Sequence, residues 1–346
     1  KHNDSVKHLY NIRSSVNNNQ NHLRVIIKKE KELFKSIFPI VLISSSELAN
    51  LFPHFYQYFD TLIIDESTRS SFENNISNFL KSKQIIISGD EQQMPPNTLY
   101  KNEQTNIFNS QPQTYDSVFQ FAEEHQFKAI NLSYHYRSKH RDLFRFSNKA
   151  FYHNLINLLP NRKTEAISFF QVDGMFHEHL NKRETEKIID WLSNLEYSNQ
   201  SIGIYTLNLK QKEFIESAIS DKVDKNEDFR NKYYNWIKNG FSVMNLENIQ
   251  GEEKDIVILS LCYGNTIKHQ FTANFGFLSS YQGYKYLNVL ITRAKEQLVI
   301  FNSIRANFYQ KWPKETNYNH KMFFAFIDYA QACSSKDENK VQNILD

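Results

Sequence analysis

The chain has 346 residues, more than one ordinary domain needs and enough for two that each bury a core. Hydrophobic residues make up 40% and aromatics 14%, which excludes a disordered polar chain, while a formal net charge of +3 neither demands nor forbids a nucleic-acid partner. Cys262 and Cys333 are the two cysteines, too few for a disulfide framework and without zinc-ligand spacing. No apolar run reaches the ~20 residues that cross a bilayer, so a reducing, cytoplasmic setting with no membrane partner is expected.

Residues 1–37 are polar and rich in Asn and Lys, with apolar residues at helical spacing from Leu23 to Phe38. They predict a helical arm or insertion whose other half lies upstream. From residue 38 the pattern changes to apolar runs of strand length at 39–43, 61–65 and 84–88, as expected of parallel strands covered on both faces. Gln111-Pro112-Gln113-Thr114 is the softest stretch before a second series of runs at 167–172, 202–206, 241–245, 256–261 and 298–302. Amphipathic stretches such as 184–195 alternate with these, which predicts a second α/β domain with a parallel sheet. The resulting division is an arm at 1–37, a first α/β domain at 38–125, a second at 126–333, and a polar tail at 334–346 expected to fray.

The chemistry-bearing residues sit at the ends of these runs. Leu62-Ile63-Ile64 leads into Asp65-Glu66, two acids at the carboxyl end of a strand, where α/β sheets bind ligands. In a nucleotide hydrolase the first such acid holds Mg²⁺ and the second polarises the attacking water. The next run ends in Gly89-Asp90-Glu91-Gln92-Gln93-Met94-Pro95-Pro96, whose amide is well placed to touch a γ-phosphate or the lytic water. Singly, the first is better read as a surface loop, and the second reads equally as an ordinary Gly-Asp turn.

In this order and spacing they resemble motifs II and III of superfamily 1 helicases. Tyr134-His135-Tyr136-Arg137-Ser138 resembles the Tyr-Arg motif opening the second RecA-like domain. Asn181-x-x-Glu184 and Gly203-Ile204-Tyr205-Thr206-x-x-x-x-Gln211 resemble the next two blocks, although each alone is better read as a helix cap or a strand end. Gln250-Gly251-Glu252-Glu253-Lys254-Asp255 resembles motif V, and Leu287-Asn288-Val289-Leu290-Ile291-Thr292-Arg293-Ala294-Lys295 resembles motif VI. An isolated arginine is better read as a surface ion pair; the ordered motifs together reverse that reading. The wording is similar to bacterial relatives of the up-frameshift helicases, within superfamily 1B.

This resemblance implies an α/β fold of two RecA-like domains with parallel sheets, the first incomplete, plus the N-terminal arm. It implies ATP and Mg²⁺ as cofactors and single-stranded nucleic acid as partner, DNA favoured over RNA. Asp65 would hold Mg²⁺ at the ATP, Glu66 would act as base, Gln93 as sensor, and Arg137 and Arg293 as arginine fingers. Tyr136, Gly251 and Glu253 would lie at the nucleotide, and Ser45, Thr206 and Asn245 at the nucleic acid. Guanidinium suits a finger because its charge is permanent and its planar fork grips two phosphoryl oxygens.

Two departures stand out. The family's phosphate loop ends in Gly-Lys-Ser/Thr, yet no Gly precedes Gly89 and none is followed by Lys. A truncated chain is therefore expected, inactive alone, with the upstream part of the same polypeptide as the partner that supplies the loop. Arg69 stands where relatives usually carry Gln. The competing expectations are a degenerate helicase serving as a nucleic-acid-binding scaffold or regulator, and a small-molecule ATPase or kinase.

Overall fold

The computed structural model describes residues 22–52, 56–96, 115–158, 165–266, 274–309 and 317–346, together with Asp4, Lys7 and Phe271. The first part of the expected arm and the stretch around Pro112 lie outside the described residues. Two compact units emerge, Lys1–Glu91 with Pro95–Ala129, and Gln92–Met94 with Ile130–Asp346. None of the described helices is long and apolar enough to cross a membrane.

In the first unit the chain runs through α1 (His22–Lys29), α2 (Lys31–Ile37), α3 (Ser45–Leu51), β1 (Phe59–Ile64), α4 (Phe72–Phe79), β2 (Ser82–Ile87) and α5 (Val118–Glu124). Among the described residues of the arm, the helical run from His22 to Ile37 is broken at Glu30, whose φ of −121° leaves the helical region. Ile27, Phe34, Leu48, Phe52 and Tyr58 form the core that joins α1, α2 and α3 to the start of β1. Strands β1 and β2 pair in parallel, with Leu62 opposite Ile85 and Ile64 opposite Ile87. Ile63 and its register partner Ile86 share a face and remain 65% and 45% exposed.

The run at 39–43 alternates as a strand would but joins no ladder among the described residues. Val41 and Ile43 turn onto the core, whereas Ile40 and Leu42 are 82% and 96% exposed. Here apolar patterning is present without the backbone partner that would make it a strand.

The second unit begins with a short parallel pair, β3 (Tyr134–His135) and β4 (Asn157–Leu158), flanking α6 (Asp142–Tyr152). It continues through β5 (Ile167–Gln171), α7 (Lys182–Asn194), β6 (Ile202–Thr206), α8 (Leu209–Lys225), α9 (Glu227–Lys238), β7 (Ser242–Asn245) and β8 (Lys254–Ser260). The last elements are α10 (Gly283–Ile291), β9 (Ala294–Asn302), α11 (Ala306–Tyr309), α12 (Tyr318–Ser334) and α13 (Glu338–Leu345). Five parallel strands form the sheet in the order β5-β9-β8-β6-β7.

Side chains of β8 alternate between two cores, which explains its unbroken apolar run. Val257 and Leu259 join the cluster containing Leu143, Leu287 and Phe323 from α6, α10 and α12. Ile256 and Ile258 join the opposite one, with Ile188, Ile215 and Trp236 from α7, α8 and α9.

The tail corrects the expectation of fraying. Residues 338–345 form α13, whose Val341 and Leu345 are buried and whose Glu338 and Gln342 accept hydrogen bonds from Arg145 on α6. One apolar stripe of two residues is too short to stand out by composition, yet it closes the core.

Candidate nucleotide and nucleic-acid sites

At the carboxyl end of β1, Asp65 and Glu66 are both exposed. Glu66 adopts a left-handed φ of +50°, and its N–H donates to Asp65 Oδ1 at 3.0 Å. Non-glycine residues rarely take that conformation, and such strain concentrates at functional sites. The turn behind them is closed by Ser67, whose N–H and hydroxyl both donate to Ser88 O at 2.9 and 2.7 Å. Glycine is required at position 89 because a Cβ there would lie 2.5 Å from Ser67 Oγ and 2.8 Å from the Phe119 ring. Adjacent exposed carboxylates on such a turn have the chemistry of a hard divalent cation site. In the same unit Ser45 starts α3, with Ser44 as its N-cap, and its hydroxyl donates to Asn75 Oδ1 at 2.7 Å.

The second unit assembles a charged cluster at the amino end of its sheet. Lys139 N–H donates to Lys295 O at 2.7 Å and Ser138 Oγ to Ala294 O at 3.3 Å, which sews the segment carrying Arg137 to the start of β9. Arg137 thereby meets Glu253, just ahead of β8, at 2.5 Å from its Nε, with both side chains about a third exposed. Arg293, just ahead of β9, is 2% exposed; its Nε donates to Val289 O at 3.0 Å. Tyr205 reaches across to hold the adjoining turn, its hydroxyl donating to Glu252 O at 2.9 Å; burial, then the nearby Glu252 charge, pushes that phenol well above its ordinary range. Gly251 sits at φ +85° with open space around it, so backbone conformation explains the glycine there. Tyr136 projects outward, 83% exposed.

His135 is the member that sequence reasoning passed over. Its ring stacks on Phe144 at 3.9 Å, and Nε2 accepts from Ser138 N–H at 3.1 Å. Burial, followed by the charges of Arg137 and Arg293, pushes its pKa down to about 4. A neutral imidazole thus shapes the loop without adding a third positive charge, and no residue-type signal distinguishes it from the His-rich wording around it.

The carboxyl end of the same sheet is built differently. Thr206 and Asn245 are brought side by side as register partners of β6 and β7. Thr206 is fully buried and its hydroxyl donates to Asn208 O at 2.8 Å, so it presents no surface here. Asn245 is nearly buried, accepting from Asn248 Nδ2 at 2.8 Å and donating to Glu247 Oε2 at 3.3 Å.

Beside them lies a closed polar network centred on Glu184. Its carboxylate accepts from Ser260 Oγ, Cys262 N–H and Ser303 Oγ, each at 2.7 Å. Asn181 caps α7 by accepting from Glu184 N–H at 3.2 Å, while its own N–H donates to Gln211 Oε1 at 2.8 Å. In an ordinary capping box the N3 carboxylate returns to the cap N–H; here Gln211 takes that bond and frees Glu184 to tie the ends of β8 and β9. Burial pushes the Glu184 pKa up to about 7 against these hydrogen bonds.

Gln93 lies in Gln92–Met94, which packs with the second unit. Asp65 and Glu66 belong to the first.

The described residues thus form a parallel α/β fold with paired carboxylates at one strand end, and two arginines with an acid ahead of the second unit's strands. The family model of the AAA domain (AAA_12) matches residues 114–305, and the chain belongs to that family, as the C-terminal region of a superfamily 1 helicase. It is 26% identical over 333 residues to the uncharacterized ATP-dependent helicase MG140 of Mycoplasma genitalium, covering 91% of this chain and 29% of that protein. The uncharacterized ATP-dependent helicase MJ0104 of Methanocaldococcus jannaschii is 23% identical, over 76% of this chain and 40% of its own length. The regulator of nonsense transcripts 1 homolog of Arabidopsis thaliana is 26% identical over 71% of this chain and 20% of its own length. The chain thus spans well under half the length of these relatives. Among solved structures, arterivirus nonstructural protein 10, a helicase, is 11% identical with a TM-score of 0.36, covering 87% of this chain and 57% of that one.

Proposed function

We propose that the chain is the part of an ATP-driven translocase that senses the γ-phosphate and grips single-stranded nucleic acid, DNA in preference to RNA, in the cytoplasm. The Arg137, Glu253 and Arg293 cluster carries this reading. An arginine tied to one partly exposed carboxylate exchanges that partner for a phosphate at little net cost, because both states pair its charge. Arg293, buried and aimed by its own helix, supplies the second guanidinium. Asp65 holds Mg²⁺ on the ATP and Glu66 orients the attacking water, while Gln93 senses the γ-phosphate and Tyr136 and Gly251 border the nucleotide. The strand passes over Ser45 and over the β6–β7 ends, where Asn245 contacts it and Thr206 supports the ledge through the Asn208 loop. The remaining length of the polypeptide supplies the phosphate loop, and the present segment alone does not turn over ATP.

The test is ATP hydrolysis by the full-length gene product with Mg²⁺, in the presence of single-stranded DNA, single-stranded RNA or neither. Turnover stimulated more by DNA is expected. Tight, salt-sensitive strand binding with no turnover would replace the motor by a scaffold.

A further inference from the structure

The tripeptide Gln92–Met94 belongs to the second unit although the residues on both sides of it belong to the first. Two anchors hold it there. Met94 is 2% exposed within the large core of the second unit. Asn288 on α10 donates from Nδ2 to Gln92 O at 2.8 Å and to Tyr152 Oη at 2.9 Å. A backbone carbonyl can only accept, so the amide nitrogen must be the end that faces Gln92.

Asn288 is 1% exposed, and its Oδ1 is buried with no hydrogen-bond partner among the described residues. A buried acceptor left unpaired opposes folding, and leucine would fill such a helix position without that penalty. The use of an amide here is therefore its bond to Gln92. The same helix also sets the arginine: Thr292 Oγ1 donates to Asn288 O at 2.7 Å, Arg293 Nε to Val289 O at 3.0 Å, and Arg293 Nη2 to Thr292 Oγ1 at 3.4 Å.

We infer that Asn288 is a positioning residue that fixes Gln93 on the helix that also aims Arg293, making the sensor and the finger one mechanical part. The inference rests on the proposed ATPase reading. Gln93 is clamped from both sides, at Gln92 through its carbonyl and at Met94 through its side chain, so any shift of its backbone is a shift relative to α10. Movement of α10 then changes Gln93 and Arg293 together.

The experiment uses the full-length gene product and the variants Asn288→Ala and Tyr152→Phe, the second as a milder change that keeps the Gln92 bond but removes the hydroxyl that orients the amide. Hydrogen exchange over residues 90–95 should rise at least about tenfold in Asn288→Ala and less in Tyr152→Phe, and kcat should fall about tenfold with KM for ATP and strand affinity little changed. Gln93→Ala and Arg293→Lys should be strongly non-additive in kcat when Asn288 is present and close to additive when it is Ala. A folded Asn288→Ala with unchanged exchange, or with the non-additivity intact, would overturn the inference; if Asn288→Ala does not fold, unchanged exchange in Tyr152→Phe does so. Absence of stimulated hydrolysis in the unaltered protein overturns the ATPase reading instead, and exchange over 90–95 still decides whether Asn288 holds the tripeptide.

Discussion

The two ends of the five-stranded sheet lie between the same two cores but are built to opposite rules. At the amino end, Arg137 and Glu253 are about a third exposed and hold each other through one short contact, beside a histidine kept neutral. At the carboxyl end, Glu184 is fully buried and accepts from two hydroxyls and a backbone N–H, with Thr206 locked inward beside it. Seven residues of β8 separate the ends, about 20 Å at ~3.3 Å per residue. A charge with one exchangeable partner is suited to capturing a ligand, whereas a saturated buried network is suited to holding strand ends still. Being polar and buried at a strand end is thus no sufficient mark of a binding residue.

The largest expected effect lies at the amino end. Arg293→Ala in the full-length product should lower stimulated kcat by about 10³, roughly 4 kcal/mol in the barrier, with strand affinity within a few-fold of normal; steady-state hydrolysis and strand titration check both. At the carboxyl end the expected loss is in stability. Glu184→Ala leaves buried donors unpaired and should destabilise the fold by about 3 kcal/mol, read by urea denaturation, with kcat of the folded fraction retained.

Titration separates the ends by sign. Glu184, raised to about 7 when folded, takes up protons more readily than in the unfolded chain. Its contribution is therefore present at low pH and falls as pH rises from about 4.5 to about 7, by roughly 3 kcal/mol. His135, lowered to about 4, behaves oppositely: its contribution is present above about 6.5 and is lost as pH falls towards 4. Glu184→Gln should remove the first slope and leave stability rising between pH 4 and 6.5; denaturation midpoints across that range check it. The smallest effect belongs to Thr206→Val, about 1 kcal/mol of stability from the lost bond to Asn208 O. A tenfold loss of strand affinity in that variant would mean that Thr206 turns outward when the strand binds, breaking the contrast between the ends.

The strands of the second unit were readable because both faces of the sheet are covered, so 202–206 and 256–261 appear as continuous apolar runs that match β6 and most of β8. The run at 39–43 has the same apolar signature without a ladder, since pairing depends on a neighbouring backbone that no local pattern reports. The α13 segment was missed for the converse reason, because its anchors Val341 and Leu345 stand in a polar stretch and matter only through what they touch. Among site residues, the motifs marked Arg137, Glu253 and Arg293 as chemistry, and the chain folds them into one cluster. Glu184 and Asn288 stand in matching motifs that give them no role of their own, because each role comes from partners 76 and 196 residues away.

Whether the amino end handles phosphate while the nucleic acid is gripped elsewhere is decided by Arg293→Lys and Arg137→Lys in the full-length product. Lysine keeps the charge and loses the planar fork. Stimulated kcat should fall by about a hundredfold in Arg293→Lys and about tenfold in Arg137→Lys, with single-strand affinity and its salt dependence unchanged. Unaltered kcat, or a parallel loss of strand affinity in both variants, would contradict it.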